Sequence, residues 1–287
     1  MNPVIFSFTA MGTVWKITLW DHATPEMERI IIRQIRLFED TYSRFIKTSW
    51  LSSLTDRIGV VEIPRDFFEI LVVYKKLYTL SEKKCTPLIG SVLQDLGYDR
   101  EYSLIAQKNI SEPPDFDKAV FIIDERSIEL KEKVSFDIGA VGKGYAIDML
   151  SHFLRARGCE RFLVDGSGDL FYSGTGEEIR VGLEDPKDFE KAIGVVSVTD
   201  GAICGSGGNR RAWGVYYHIV DPYSLNSPKN ILATWVRADR ALLADGLATC
   251  LFLCDPENFC KDFSFEYCIL YDDYTIQRSE GFLVELY

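Results

Sequence analysis

Basic runs, long apolar runs and paired cysteines are all missing from this chain of 287 residues. No cationic stretch exceeds two residues, as at Lys83-Lys84 and Arg210-Arg211, and the formal net charge is −11, which argues against nucleic acid as a partner. Acidity alone does not exclude a phosphate-bearing ligand, because Mg²⁺ and backbone amides can supply the positive field. No segment approaches the ~18 consecutive apolar residues of a membrane helix, so no transmembrane segment is expected. The seven cysteines are scattered, without the C-x-x-C pairs of a zinc or redox site, and read as reduced, partly buried thiols. Histidine is scarce as well: His22 falls in a loop and His152 on an exposed helix face, which leaves His218 best placed for chemistry. Repeats, low-complexity tracts and Pro/Gly/Ser linkers are absent, so residues 1–287 read as a single domain or two closely packed subdomains. Met1 to Ala10 lack a basic n-region and an apolar h-region. The expected location is cytoplasmic as the sequence stands, and periplasmic or membrane-anchored if a leader was removed.

What is present is an ordinary folded composition, 47% apolar and 26% charged. Val14 to Trp20 alternates as a strand does. Pro25 to about Tyr42 has Met27, Ile30, Ile31, Ile35, Leu37 and Phe38 at helical spacing, with proline at its start. Arg65 to Ser81 reads as a second amphipathic helix through Phe68, Leu71, Val72, Lys75 and Leu80. Strands are predicted at Ala119–Ile123, Ser127–Leu130, Val134–Ile138, Arg161–Asp165, Ile179–Leu183, Ile193–Val198, Tyr216–Val220, Cys268–Tyr271 and Phe282–Leu286. A helix is predicted from Tyr145 to Arg157, ended by Gly158. Strands clustered between few helices indicate an α+β fold of mostly antiparallel sheets with flanking helices.

One residue is out of place. Asp245 interrupts the apolar run Ala241 to Leu253, whose composition favours a buried helix. An unpaired carboxylate there would cost several kcal/mol, of the order of the burial penalties for charged groups. Asp245 and Thr249 are four apart, so a carboxylate and a hydroxyl project from one helical face, beside Gly246. Two hard oxygens on one face suit a small hard cation such as Mg²⁺. The alternative is a helix cap, with Asp245 starting a shorter helix and Ala241 to Ala244 ending a strand.

Four polar turns stand at predicted strand ends. Asp137 to Tyr145 carries glycines at 139, 142 and 144 and Lys143, a natural phosphate partner at a helix start. Its spacing is neither that of a P-loop nor that of a dinucleotide fingerprint. Asp165-Gly166-Ser167-Gly168-Asp169 places two carboxylates in a strand-to-strand turn, either a tight turn or a ligand site. Gly205-Ser206-Gly207-Gly208-Asn209 offers consecutive amides for an anion, or an ordinary hairpin connection. In His218-Ile219-Val220-Asp221-Pro222, a histidine near a carboxylate has the form of a general base with its orienting partner, or of a satisfied core histidine. The G-x-S-x-G elbow is absent.

Taken in order, these segments resemble the FAD:protein FMN transferases, the ApbE-type flavin transferase family. The resemblance rests on Met11-Gly12-Thr13, the Tyr42 to Phe45 segment, D-I-G-x-x-x-K-G-Y-A-x-D from Asp137, Asp165 to Asp169, Ser206-Gly207, H-I-x-D-P from His218, and A-D-x-x-A-T from Ala244. It implies an ApbE-like, T-fold-related architecture and an Mg²⁺-dependent cleavage of the FAD pyrophosphate. FMN passes to a threonine or serine of an acceptor protein, and AMP leaves. By position, Ala140 (through its carbonyl), Asp245 and Thr249 would hold the metal. Met11, Lys143, the turn residues Asp165, Gly166, Ser167 and Asp169, and Gly205, Ser206 and Gly207 would hold FAD. His218 would deprotonate the incoming hydroxyl, with Asp221 orienting it or sharing that task. Where the family usually follows H-I-x-D-P with Arg-Thr-Gly, this chain has Tyr223-Ser224-Leu225. Two rival readings use the same residues: an FAD pyrophosphatase with water as acceptor, and a non-catalytic FAD-binding or carrier protein.

Overall fold

A computed structural model describes residues 3–287; Met1 and Asn2 lie outside them. The chain opens with a hairpin, β1 (Val4–Ala10) and β2 (Thr13–Leu19), and the long helix α1 (Pro25–Tyr42). Helix α2 (Trp50–Ser53), strand β3 (Gly59–Glu62), helix α3 (Arg65–Leu80) and the short helices α4 (Gly90–Asp95) and α5 (Phe116–Ala119) follow. Strands β4 (Val120–Asp124) and β5 (Ser127–Leu130) precede helix α6 (Gly142–Ala156). Next come β6 (Phe162–Asp165), β7 (Leu170–Ser173), β8 (Ile179–Asp185), β9 (Asp188–Val198) and β10 (Gly201–Gly207). The two-residue strands β11 (Ala212–Trp213) and β12 (Tyr216–Tyr217) and then β13 (Ile231–Ala238) lead to helix α7 (Ala241–Cys250). The chain closes with β14 (Glu266–Tyr271), β15 (Ile276–Arg278) and β16 (Val284–Leu286).

Eight strands form one sheet in the order β1-β2-β6-β7-β10-β13-β14-β15, every neighbouring pair antiparallel. Two three-stranded sheets, β16-β9-β8 and β3-β5-β4, flank it. This is the α+β, mostly antiparallel class that the sequence predicts. The large sheet is covered on both faces. In β7, Phe171 enters the core beneath the helices, while Leu170 and Tyr172 enter a second core shared with β8 and β9. Strand β10 repeats the division, with Ala202 and Cys204 on the helical side and Ile203 on the other. Strands covered on both faces read as apolar runs rather than alternations.

Helix α1 buries Met27, Ile31, Ile35, Phe38 and Tyr42, and its first turn is closed by Thr24, whose Oγ1 accepts from the Met27 amide at 3.2 Å. In α3 the buried face is Phe67, Ile70, Leu71, Tyr74, Leu77 and Tyr78, turned away from the predicted one: Val72 is exposed. Apolar residues surround that helix, so spacing alone leaves its rotation open. One predicted strand is absent and another is cut short. Val134–Ile138 is held instead by the preceding loop, with Asp137 N donating to Pro87 O and Gly90 N to Ser135 O. Tyr216–Val220 is a strand only at Tyr216–Tyr217, and His218 lies beyond its end.

The helix predicted around Asp245 forms as α7 and is buried on nearly every side. The alternative of Asp245 as a cap is overturned, because Ala241 to Ala244 are already helical and the cap position is Arg240. The capping carboxylate comes from elsewhere. Asp148 of α6 accepts from the Ala241 amide at 2.7 Å, the Leu242 amide at 3.3 Å and Arg240 Nε at 3.1 Å. These bonds satisfy amides that a helix start leaves without partners, and they offset the burial that pushes the Asp148 carboxyl upward. Helices α6 and α7 touch at Gly144, where a Cβ would stand 2.2 Å from Ala241 O and 2.8 Å from Asp245 Cβ. Gly144→Ala is therefore expected to destabilise the fold by about 3 kcal/mol, the upper range of overpacking costs, measured by urea denaturation. Stability equal to the parent chain would mean that the two helices are free to separate.

Candidate active site

Asp245 stands in the second turn of α7, buried, with its Oδ2 accepting from the Gly144 amide at 2.8 Å. Its other oxygen has no hydrogen-bond partner among the described residues. Burial first, and the negative charge of Asp169 second, push this carboxyl well above the ordinary range, against the pull of Lys143 and the Gly144 amide. One turn on, Thr249 Oγ1 lies 3.4 Å from Ser206 Oγ. Asp245, Thr249, Ser206 and Ala140 all line a single cavity of about 880 Å³. Carboxylate, hydroxyls and a backbone carbonyl make an all-oxygen donor set, which fits Mg²⁺ better than a soft metal. Among the described residues no three His, Cys, Asp or Glu side chains gather as a metal cage. A cation here would therefore keep coordination positions for water or ligand oxygens, as Mg²⁺ does.

Another part of the wall is the hairpin loop between β6 and β7. Asp165 Oδ1 accepts from the amides of Ser167 (2.8 Å) and Gly168 (3.2 Å), so this carboxylate closes the turn. Asp169 is buried and joins three elements: its Oδ1 accepts from the Gly205 amide at 2.9 Å in β10, and its Oδ2 forms an ion pair with Lys143 of α6. Burial pulls the Lys143 ammonium down, but the carboxylates of Asp169 and Asp245 outweigh it and hold this pKa above its usual value. Gly205, Ser206 and Gly207 are the end of β10, paired with Trp235, Thr234 and Ala233 of β13, rather than the turn predicted for them. Alternating strand amides do not make an anion nest, and what this edge offers is backbone with little side-chain bulk.

His218 lines the same cavity, and its Nδ1 is buried with no hydrogen-bond partner among the described residues. Burial, then the positive charges of Arg211 and Lys143, lower its pKa to about 3, so the ring is neutral at physiological pH. Arg211 also lines the cavity, and among the described residues it makes no ion pair, whereas its neighbour Arg210 binds Glu184 at 2.6 Å. Asp137 is held from outside: Arg44 Nε donates to its Oδ2 at 2.5 Å, while its Oδ1 accepts from the Gly139 amide at 2.6 Å. Arg44 in turn stacks on Phe45 and donates to Tyr98 O. The turn that carries Ala140 is thereby fixed in place.

Most of the residues predicted for the site thus share one cavity: Ala140, Asp245 and Thr249; Lys143, Asp165, Ser167 and Asp169; Gly205 to Gly207; and His218. Three do not line it. Met11 lies in the turn between β1 and β2, where the cavity wall is Gly12 and Thr13 instead. Gly166 packs beneath the Lys143 stem, with its Cβ position 3.3 Å from Lys143 Cδ. Asp221 is turned away from His218: its Oδ1 accepts from the amides of Tyr223 (2.8 Å) and Ser224 (3.1 Å), and it borders a neighbouring groove. Three contributors have no role assigned from the sequence: Arg44 and Asp148, which lie within the motifs that carry the resemblance, and Arg211, which lies outside them. For Asp148 the spacing was a further signal, since it follows Gly144 by four residues on α6 and so faces the same neighbour.

The chain is similar to proteins of known type. The family model described as ApbE family matches residues 11–264. An FAD:protein FMN transferase of Treponema pallidum (strain Nichols) is 27% identical over 234 residues, covering 66% of this chain and 63% of that protein. One of Rhodobacter capsulatus is 24% identical over 213 residues, covering 69% of this chain and 40% of that protein. The matched part thus spans less than two thirds of the length of either relative. Among solved structures, the ApbE protein of Thermotoga maritima MSB8 superposes with a TM-score of 0.87 at 21% identity, covering 98% of each chain. The flavin transferase ApbE of Vibrio cholerae gives 0.80 at 18% identity, again covering 98% of each chain. At such identities the structural likeness is one of fold, and it agrees with the family match, which takes in every motif from Met11 to Thr249: the chain belongs to the ApbE family.

Proposed function

We propose that this protein is an Mg²⁺-dependent FAD:protein FMN transferase that cleaves the FAD pyrophosphate, attaches FMN to a threonine or serine of an acceptor protein and releases AMP. The observation that carries the reading is the charge left over in the cavity. Asp137 is bound to Arg44, Asp165 to its own turn, Asp169 to Lys143 and Glu184 to Arg210. Among the described residues, the buried carboxylate left without an ion pair is Asp245, suited to a cation, and the guanidinium left without one is Arg211, suited to an anion, with Lys84, bound only to the Leu253 carbonyl, as a second such cation on the wall. A ligand that brings Mg²⁺ and a pyrophosphate answers both. The relatives named FAD:protein FMN transferases support the same choice.

In this reading the Asp245 carboxylate, the Thr249 hydroxyl and the Ala140 carbonyl hold the metal. When bound, Mg²⁺ supplies charge neutralisation at the pyrophosphate oxygens. Arg211 and Lys143 hold the phosphates from the other side, and the bare edge of β10 lets the ligand approach the backbone. The acceptor hydroxyl oxygen bonds to the FMN phosphorus as the bond from that phosphorus to the bridging oxygen breaks, and AMP keeps the bridging oxygen. Neutral His218, with a ring nitrogen that lacks a partner, takes the hydroxyl proton.

The direct test mixes the purified protein with FAD, Mg²⁺ and an acceptor, followed by intact mass and nucleotide analysis. AMP release with FMN bonded to the acceptor is expected; free FMN with AMP would mean hydrolysis instead. Asp245→Ala should abolish turnover and also the rise in melting temperature that Mg²⁺ gives the parent protein. A variant that keeps both refutes the metal assignment.

Arg211→Gln is expected to weaken FAD binding about tenfold, as loss of a charge-assisted hydrogen bond does, with no loss of melting temperature. Unchanged affinity by calorimetry would remove Arg211 from the ligand site. For His218 the pH sign is definite. The unfolded ring takes a proton below about pH 6.5, while the folded ring stays neutral down to about 3. Its contribution to stability is therefore present at neutral pH and lost as pH falls from about 6.5 toward 3. His218→Gln should flatten the fall in melting temperature between about pH 7 and 5 and impair transfer, with FAD affinity kept. Identical pH slopes would show that the ring is not desolvated.

A further inference from the structure

The segment from His218 to Asp221 is a partition. Its first three residues line the large cavity, and Asp221 lines a second, polar groove of about 540 Å³. Lys84 and Leu253 line both, and Lys84 Nζ donates to Leu253 O at 3.1 Å across the boundary. The two spaces are thus neighbours, with Lys84, Leu253 and one short stretch of chain forming walls between them. The groove wall also carries Asn230 and Asn258, whose carboxamides make no hydrogen bond among the described residues. Asp221 Oδ2 is likewise without a partner there, although Oδ1 is fully used in its turn.

We infer that this groove receives the acceptor protein, as an extended segment next to the hydroxyl that is modified. The inference rests on the transferase reading above and adds to it the path by which the acceptor arrives. An extended polypeptide presents amides and carbonyls at regular spacing, and these are the groups that open carboxamides and a carboxylate bind. The large cavity must hold the flavin dinucleotide, so the macromolecular substrate needs a separate approach that ends at His218. The groove provides one, because its wall includes the residue three positions beyond that histidine. Asp221 accordingly acts on the acceptor side, and this accounts for a carboxylate that does not face the histidine it was expected to orient.

The test uses the full chain, FAD, Mg²⁺ and a purified acceptor domain that the Vibrio cholerae flavin transferase modifies, with that enzyme as control. In the double variant Asn230→Ala/Asn258→Ala the KM for the acceptor should rise about tenfold, the cost of two hydrogen bonds. The kcat at saturating acceptor and the FAD dissociation constant should stay within twofold. A bulky Asn230→Trp variant, at an exposed position, should raise the acceptor KM further by filling the groove. If the parent protein transfers FMN and both folded variants keep its acceptor KM, the groove assignment is overturned while the transferase reading stands. If the parent protein transfers nothing to an acceptor that the control enzyme modifies, both fall together.

Discussion

A carboxylate inside an apolar helix is the constraint on which the rest of the site depends. Asp245 has one protein donor, the amide of Gly144, and that donor is within reach only because Gly144 has no side chain. The close approach places α6 against α7, and the same contact brings Asp148 over the start of α7 as its cap. Gly246 extends the arrangement, since a Cβ there would strike Leu77 of α3 and Val141 at the head of α6. Burial of one ionisable group has thus drawn three helices into a fixed relation. Such a group costs free energy unless something compensates it, and it persists where the uncompensated state has a use.

The electrostatics follow from that starting point. A chain with a net charge of −11 sets several carboxylates around one cavity, yet nearly all of them are tied to a local partner. Asp137 shows how far the supports reach: it is held by Arg44, which in turn is held between Phe45 and Tyr98. The proposed cation position at Asp245 and anion position at Arg211 line the same cavity, and the acidity of the whole protein says little about what that cavity accepts.

Local signals made part of this legible in the sequence. Helix α1 announced itself through Pro25 and its apolar spacing, and Asp245 through its surroundings. Glycines 139, 142 and 144 around Lys143 marked the turn at α6. What stayed hidden depends on partners distant in the chain. Arg44 meets Asp137 across 93 positions, and Asp148 meets the α7 amides across a similar separation. Val134–Ile138 has the composition of a strand but meets a loop rather than a strand edge, so composition misleads there. Asp221 follows His218 closely enough to suggest a dyad, but its nearest donors are the amides of Tyr223 and Ser224, and a local turn wins over a longer reach.

The contact between α6 and α7 has a consequence for how such a site changes over evolutionary time. Residue 144 must stay small for residue 245 to find its donor, and residue 148 must keep a side-chain acceptor to meet the amides at the start of α7. A change at one of these positions alone leaves an orphaned group or a clash, so each constrains the substitutions its neighbours can tolerate. Inherited together, the segment from Asp137 to Asp148 and the helix from Ala241 to Cys250 form a two-part cassette. Pairwise identities of 21% and 18% with the same architecture show how far a sequence of this fold can drift, and the contacts within the cassette make each of its positions constrain the others.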